Sequence, residues 1–192
     1  MGTVDVIANI VILADTFRMH QLPVIHVVRL YLEDGSNADL CRKQIIRQGK
    51  TMVVPESPGA GILTELLPPN AENYAGAVLL NSDLLQIAPH DFVVYKPRWG
   101  AFYDTALENW LKKREINSLV VAGCNFPNCP RTTIYEASER DYRLAIVPDA
   151  ISQIYPKGID ELRGIGVNIL EQRVLKKELE FISLPKRRNH RC

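Results

Sequence analysis

The chain has 192 residues, 46% of them hydrophobic, and a formal net charge of +1. That length suits one domain with a sizeable core, and the near-neutral charge excludes a general electrostatic pull on nucleic acid or anionic lipid. No apolar run reaches membrane-spanning length and no basic, cleavable leader opens the chain, so the expectation is a soluble cytoplasmic protein with neither a membrane nor a nucleic-acid partner.

Val4 to Arg18 has helical spacing, with Ile7, Ile10, Val11, Ala14 and Phe17 on one stripe. Val6, Ile12 and Leu13 lie off that stripe, which predicts a helix apolar nearly all round and well buried. A short turn, His20 to Pro23, leads into Val24 to Leu30, a β-branched and nearly continuous apolar run. Such a run reads as a strand covered on both faces. A buried helix feeding such a strand is the second half of a βαβ unit, and the first strand of that unit is expected upstream of Met1.

From Tyr31 to Ala75 the periodicity weakens. Asn37 to Gln48 has helical character, and prolines and glycines between Pro55 and Pro69 mark loops around a short segment, Ile62 to Leu67. An insertion of this kind shapes a pocket or a subunit contact. Asp91 to Lys96 then reads as a strand ending in a lysine, Pro97 to Gly100 as a turn, and Phe102 to Arg114 as an amphipathic helix. Leu119 to Gly123 is the next strand, and Arg131 to Arg140 the helix after Cys129. Leu144 to Pro148 is a further strand, ended by Asp149-Ala150. Ile165 to Leu170 closes the series, with Gln172 to Leu179 helical. The alternation calls for an α/β fold: a doubly wound, mostly parallel sheet flanked by helices in three αβα layers. Residues 1–185 form one domain, and the basic tail 186–192 reads as a solvated, frayed end.

Two residues stand out chemically. Cys129 directly precedes Pro130, and proline is favoured at the first helical position. A thiol there meets unpaired backbone N–H groups and the positive end of the helix dipole, both of which favour thiolate. Lys96 lies just past the preceding strand, 33 positions earlier. In doubly wound sheets chemistry gathers outside the carboxyl ends of strands, so the two share one crevice, where the ammonium stabilises the sulfur anion. Taken singly, a cysteine is most often inert packing and a strand-end lysine most often solvated; the pairing of positions favours the functional reading. Cys124 reads as packing, Cys41 belongs to a charged segment and Cys192 to the tail. The four cysteines lack metal-type spacing and fit a reducing compartment. A thiol redox role for Cys124 and Cys129 is disfavoured by their separation of five positions.

The segments Lys96-Pro97-Arg98-Trp99-Gly100-Ala101-Phe102-Tyr103-Asp104-Thr105, Val120-Val121-Ala122-Gly123, Cys129-Pro130-Arg131-Thr132-Thr133 and Val147-Pro148-Asp149-Ala150 resemble the isochorismatase-like cysteine hydrolase family. The resemblance implies a parallel sheet between helices, homo-oligomerisation and hydrolysis of a C–N bond in a small amide through a cysteine thioester. It matches Cys129 to the family's nucleophile and Lys96 to its lysine. It implies an oxyanion held by backbone N–H groups at Cys129 and near Asn125, beside an unusual cis peptide. That peptide would match Cys124–Asn125, with Phe126–Pro127 as a competing site. The family's aspartate ends its first strand, a position upstream of Met1 that neither Asp5 nor Asp15 can fill. Metal-binding members carry an Asp-x-His pair and a further histidine after the second strand. Here Arg29 to Gly35 holds no histidine, so no metal and no other cofactor is expected.

For the substrate, Asn125, Trp99, Phe102 and Arg98 are the candidate binding residues. Trp99, Phe102 and Tyr103 could wall a pocket, or belong to the core. Arg29 and Arg98 could hold a carboxylate, or pair with acids of the protein itself. The leading expectation is therefore a cysteine amidohydrolase acting on a small-molecule amide. The alternative is a non-catalytic family member that serves as an interaction or scaffold protein.

Overall fold

The computed structural model describes residues 1–183; the basic segment from Lys186 onward, with Cys192, lies outside the described residues. One 3-10 turn, Val4–Val6, opens into helix α1, Ile7–Met19. Only Leu13, Ala14 and Thr16 of that helix are buried, and Ile12 is half exposed. The all-round burial read from its composition is not reached, because α1 lies across the outside of the strands and touches β1 (Val24–Val28) and β5 (Arg143–Ile151) with one side.

After β1 the chain runs through α2 (Leu40–Arg47), a 3-10 turn at Thr64–Leu66 and α3 (Gly76–Leu80). The strands β2 (Leu85–Ala88) and β3 (Asp91–Tyr95) follow as an antiparallel pair. Next come α4 (Leu107–Lys113), β4 (Ser118–Gly123) and α5 (Cys129–Ser138). After β5, α6 (Pro156–Gly164), β6 (Asn168–Ile169) and α7 (Gln172–Ser183) complete the described chain.

The strands form two three-stranded sheets, in the orders β1-β3-β2 and β4-β5-β6. Every pairing other than β2 with β3 is parallel. The mostly parallel α/β architecture with flanking helices thus matches the reading from sequence, but the ladder is divided: β1 and β4 are each the outer strand of a sheet. Their sequences, Val-Ile-His-Val-Val and Ser-Leu-Val-Val-Ala-Gly, are runs of the kind normally covered on both faces. Yet no residue of either strand is fully buried, whereas β3 is buried at four of its five positions.

Helices hold the two sheets together. Leu107 and Leu111 of α4 sit in the main core cluster with Ile134, Leu144, Ile146 and Leu162, and Ile25 of β1 packs against that cluster. Trp110 of α4 meets Phe92 of β3 edge to face, with ring centres 4.7 Å apart. On the other side, Arg18 of α1 reaches the carboxylate of Asp91 at 2.7 Å, and His26 of β1 reaches it at 2.9 Å. Asp91 is 1% exposed, and this network ties α1 and β1 to the strand that carries Lys96. Burial alone would raise its carboxyl, but hydrogen bonds from His26 and Arg18 outweigh that and hold it below the usual value.

Several boundaries differ from the sequence reading. The helix read from Phe102 begins only at Leu107, because Asp104 takes a left-handed φ of +53° that a helix cannot run through; ahead of it Ala101 donates to Thr133 at 3.1 Å and Phe102 to Glu136 at 2.9 Å. The strand read as ending at Pro148 continues to Ile151, with an irregular register against β4 that accommodates the proline. The last strand shortens to two residues.

Candidate active site

The end of β3 sets the position of Lys96. Its backbone N–H donates to Val28 at 2.9 Å, one step beyond the β1–β3 ladder, and the residue is 4% exposed. The ammonium donates to the carbonyl of Trp99, so the turn Pro97 to Gly100 folds back over its own lysine. The Cys129 sulfur lies close enough to act on the charge of the ammonium. Burial pushes Lys96 below its ordinary value; the Cys129 sulfur opposes this, nearby Arg29 adds to the depression, and Glu136 works against it.

Cys129 is the first residue of α5, with Asn128 at the N-cap and Pro130 next, and it is half-buried. A backbone N–H at this position has no acceptor within the helix, and the helix dipole presents its positive end there. Sulfur and ammonium therefore meet at the carboxyl ends of β4 and β3, one from each sheet. Glu136 lies two turns along α5 on the same face as Cys129, the spacing that also brings Thr133 to the 101–102 backbone. That spacing was readable in the sequence, and Glu136 was missed.

The loop after β4 is held from below by Phe126, which is fully buried and packs edge to face on Tyr155 at 5.4 Å. Its backbone N–H donates to Ser152 at 2.8 Å, and that of Asn128 to Asn125 at 3.0 Å. The cis peptide falls at Cys124–Asn125, not at Phe126–Pro127. The side-chain oxygen of Asn125 accepts hydrogen bonds from Ser152 at 2.8 Å and Thr3 at 3.1 Å.

The other candidate residues are placed as follows. Trp99 is half-buried, with the guanidinium groups of Arg29 and Arg42 at 4.6 and 4.7 Å from the ring centre. Arg98 donates to the backbone carbonyls of Asn37 and Pro97. Phe102 is 4% exposed inside the main core cluster, its ring 5.5 Å from Tyr142, so it reaches this region through its N–H on Glu136. Arg29 is engaged by Asp39, Tyr31 and the Arg98 carbonyl, so of the two readings offered for it the geometry matches pairing within the protein. Asp39 and Tyr31 come from the weakly periodic insertion, and no spacing signal announced them. Asp5 is engaged by the Gly2 N–H and Asp15 by Arg18. Arg29, Leu30 and Tyr31 follow β1, and among the described residues no group of three or more His, Cys, Asp or Glu is arranged to hold a metal ion.

Comparison with known proteins gives a consistent picture. Residues 82–164, which include Lys96, Cys129 and Glu136, match the Isochorismatase domain. An isochorismatase family protein from Desulfovibrio vulgaris is 31% identical in sequence; the superposition covers 94% of this chain and 85% of that one, with a TM-score of 0.73. A probable inactive nicotinamidase of Arabidopsis thaliana is 25% identical over 171 residues, covering 86% of this chain and 79% of the relative. A ureidoacrylate amidohydrolase of Methylorubrum extorquens is 35% identical over 85 residues, which cover 43% of this chain and 34% of that protein's length.

Proposed function

Because this chain belongs to the isochorismatase family, we propose that it hydrolyses a C–N bond of a small amide through a thioester on Cys129, with Lys96 as the charged partner of the sulfur. The observation that carries this reading is the convergence of a buried lysine at the end of β3 with a half-buried cysteine at the first position of α5, close enough for the sulfur to act on the ammonium's charge.

The chemistry follows from their protonation states. The Cys129 thiolate attacks the amide carbonyl carbon. The oxyanion that develops is met by the N–H of Cys129 at the start of α5 and by donors of the 124–125 turn, in the arrangement the family resemblance implies. Collapse breaks the C–N bond, and the ammonium of Lys96 gives its proton to the departing amine. Burial suits Lys96 to this step, because it disfavours the charged form and eases proton release. Water then attacks the thioester, returning a proton to Lys96 and releasing the acid and the thiolate. Trp99, Arg98 and Asn125 are the candidates for holding the rest of the substrate. The Methylorubrum relative is named for hydrolysing ureidoacrylate, an amide-type compound, which supports a small amide as the substrate class here.

A second reading, a family member without turnover that serves as an interaction protein, has one observation in its favour: the Arabidopsis relative carries the name of an inactive nicotinamidase. Alkylation with peptide mapping and an ammonia-release screen across small amides separate the two. A Cys129 more reactive than Cys41, with ammonia release abolished by Cys129→Ala, supports the hydrolase. A reactive Cys129 with no release from any amide favours the second reading. A Cys129 no more reactive than Cys41 removes the thiolate from both.

A further inference from the structure

Arg29 directly follows β1, and its side chain is 13% exposed. One of its terminal nitrogens donates to Asp39 at 2.9 Å and to the Tyr31 hydroxyl at 2.7 Å, and Tyr31 donates to the same carboxylate oxygen at 2.7 Å. Tyr31 is 2% exposed and Asp39 5%. The other terminal nitrogen donates to the carbonyl of Arg98, and the guanidinium lies over the Trp99 ring. A buried charge cluster of this kind is seldom a source of net stability, since apolar residues of similar volume do as well. What it does here is geometric. It clamps the turn at Arg98 and Trp99, and the Trp99 carbonyl is the acceptor that fixes the Lys96 ammonium.

We propose that Arg29 is a positioning residue of the site: held by Asp39 and Tyr31, it sets the Pro97–Gly100 turn so that the Trp99 carbonyl aims Lys96 at Cys129. The proposal rests on the reading of Lys96 and Cys129 as the reacting pair. Arg29 is suited to it because a planar guanidinium binds the Asp39 carboxylate and the Arg98 carbonyl at once, which a lysine ammonium at the end of a flexible stem does not reproduce. Neither Asp39 nor Tyr31 touches the sulfur, so their effect passes through the turn. The position of Arg29 also lowers Lys96 by like charge, in the same sense as burial.

The test measures the rate at which iodoacetamide alkylates Cys129 at pH 7 in the full chain, resolved by peptide mapping, with circular dichroism as the check on folding. Arg29→Lys is expected to slow alkylation about tenfold, the worth of one hydrogen bond to a charged group, and Tyr31→Phe to slow it severalfold. Lys96→Met slows it at least as much as Arg29→Lys, and adding Arg29→Lys to Lys96→Met changes nothing further, because the route runs through the lysine. Wild-type rates in Arg29→Lys overturn the proposal. So does an equal further slowing on top of Lys96→Met, which would mark Arg29 as a general structural anchor. If Arg29→Lys does not fold, Tyr31→Phe decides: a wild-type rate there overturns the positioning role. A Lys96→Met protein that reacts as fast as wild type sinks the reacting pair itself, and the proposal with it.

Discussion

Replacing Asp91 by asparagine tests how the strand bearing Lys96 is anchored. Arg18 approaches the Asp91 carboxylate with three contacts of 2.7, 3.1 and 3.2 Å, and His26 adds one of 2.9 Å. The carboxylate side chain is 2% exposed, that of Arg18 13% and that of His26 10%, so solvent cannot substitute for the lost charge. Breaking one partner of a buried pair costs about 3–5 kcal/mol. Arg18 keeps the exposed Asp15 at 2.8 Å and the Leu66 carbonyl at 2.7 Å, which places Asp91→Asn at the lower end, about 3 kcal/mol. For a chain of this size that lowers the melting temperature by about 6–12 °C. The loss also depends on pH. Asp91 is held below the usual carboxyl value in the folded state, so its contribution is complete above the unfolded value near 3.9 and is lost as pH falls through the lower folded value. Urea unfolding of wild type and Asp91→Asn at pH 7 and pH 3 should therefore show a gap that narrows in acid. A cost below about 1 kcal/mol at pH 7, the level of an exposed pair, or a gap of equal size at both pH values, refutes the reasoning.

Further outcomes follow from the structure. Because burial sets Lys96 below its ordinary value, hydrolysis should decline on the alkaline side below the value near 10.4 of a free lysine. Glu136 faces that ammonium with Arg29 and Cys129 and opposes the depression, so Glu136→Gln moves the alkaline limb of the kcat/KM profile to lower pH; an unmoved limb, or one moved upward, contradicts the assignment. The backbone amides of β1 and β4 that point away from β3 and β5 have no strand partner among the described residues. They should exchange with solvent far faster than the amides of β3 and of the buried part of β5, read by mass spectrometry, and equal protection would show that the two edges are covered.

How much of this was legible in the residues varies along the chain. The helix before the first apolar run, the strands at Asp91 and Leu119, and the helix start at Cys129-Pro130 are local signals: periodicity, β-branched runs and proline position act within a few residues. The insertion from Tyr31 to Ala75 carries no such period, and its contribution to the site, Tyr31 and Asp39 beneath Arg29, rests on contacts between parts of the chain that no spacing relates. Phe102 shows the structure choosing between two readings that the sequence left open, pocket wall or core. Its neighbourhood to Lys96 suggested a pocket wall, and the core cluster around Tyr142 takes the ring instead, since burying an aromatic face gains more than exposing it at a rim.

The sequence by itself determined the parallel α/β plan and the family, and it singled out the proposed sulfur and ammonium, because each is written in short-range patterns. Only the tertiary structure decided that Lys96 is buried and turned onto Trp99, that Glu136 and Arg29 pull its charge in opposite senses, and that β1 and β4 end as separate edges. Those outcomes depend on desolvation and on distances between residues far apart in the chain, and both come into being only when the strands pack.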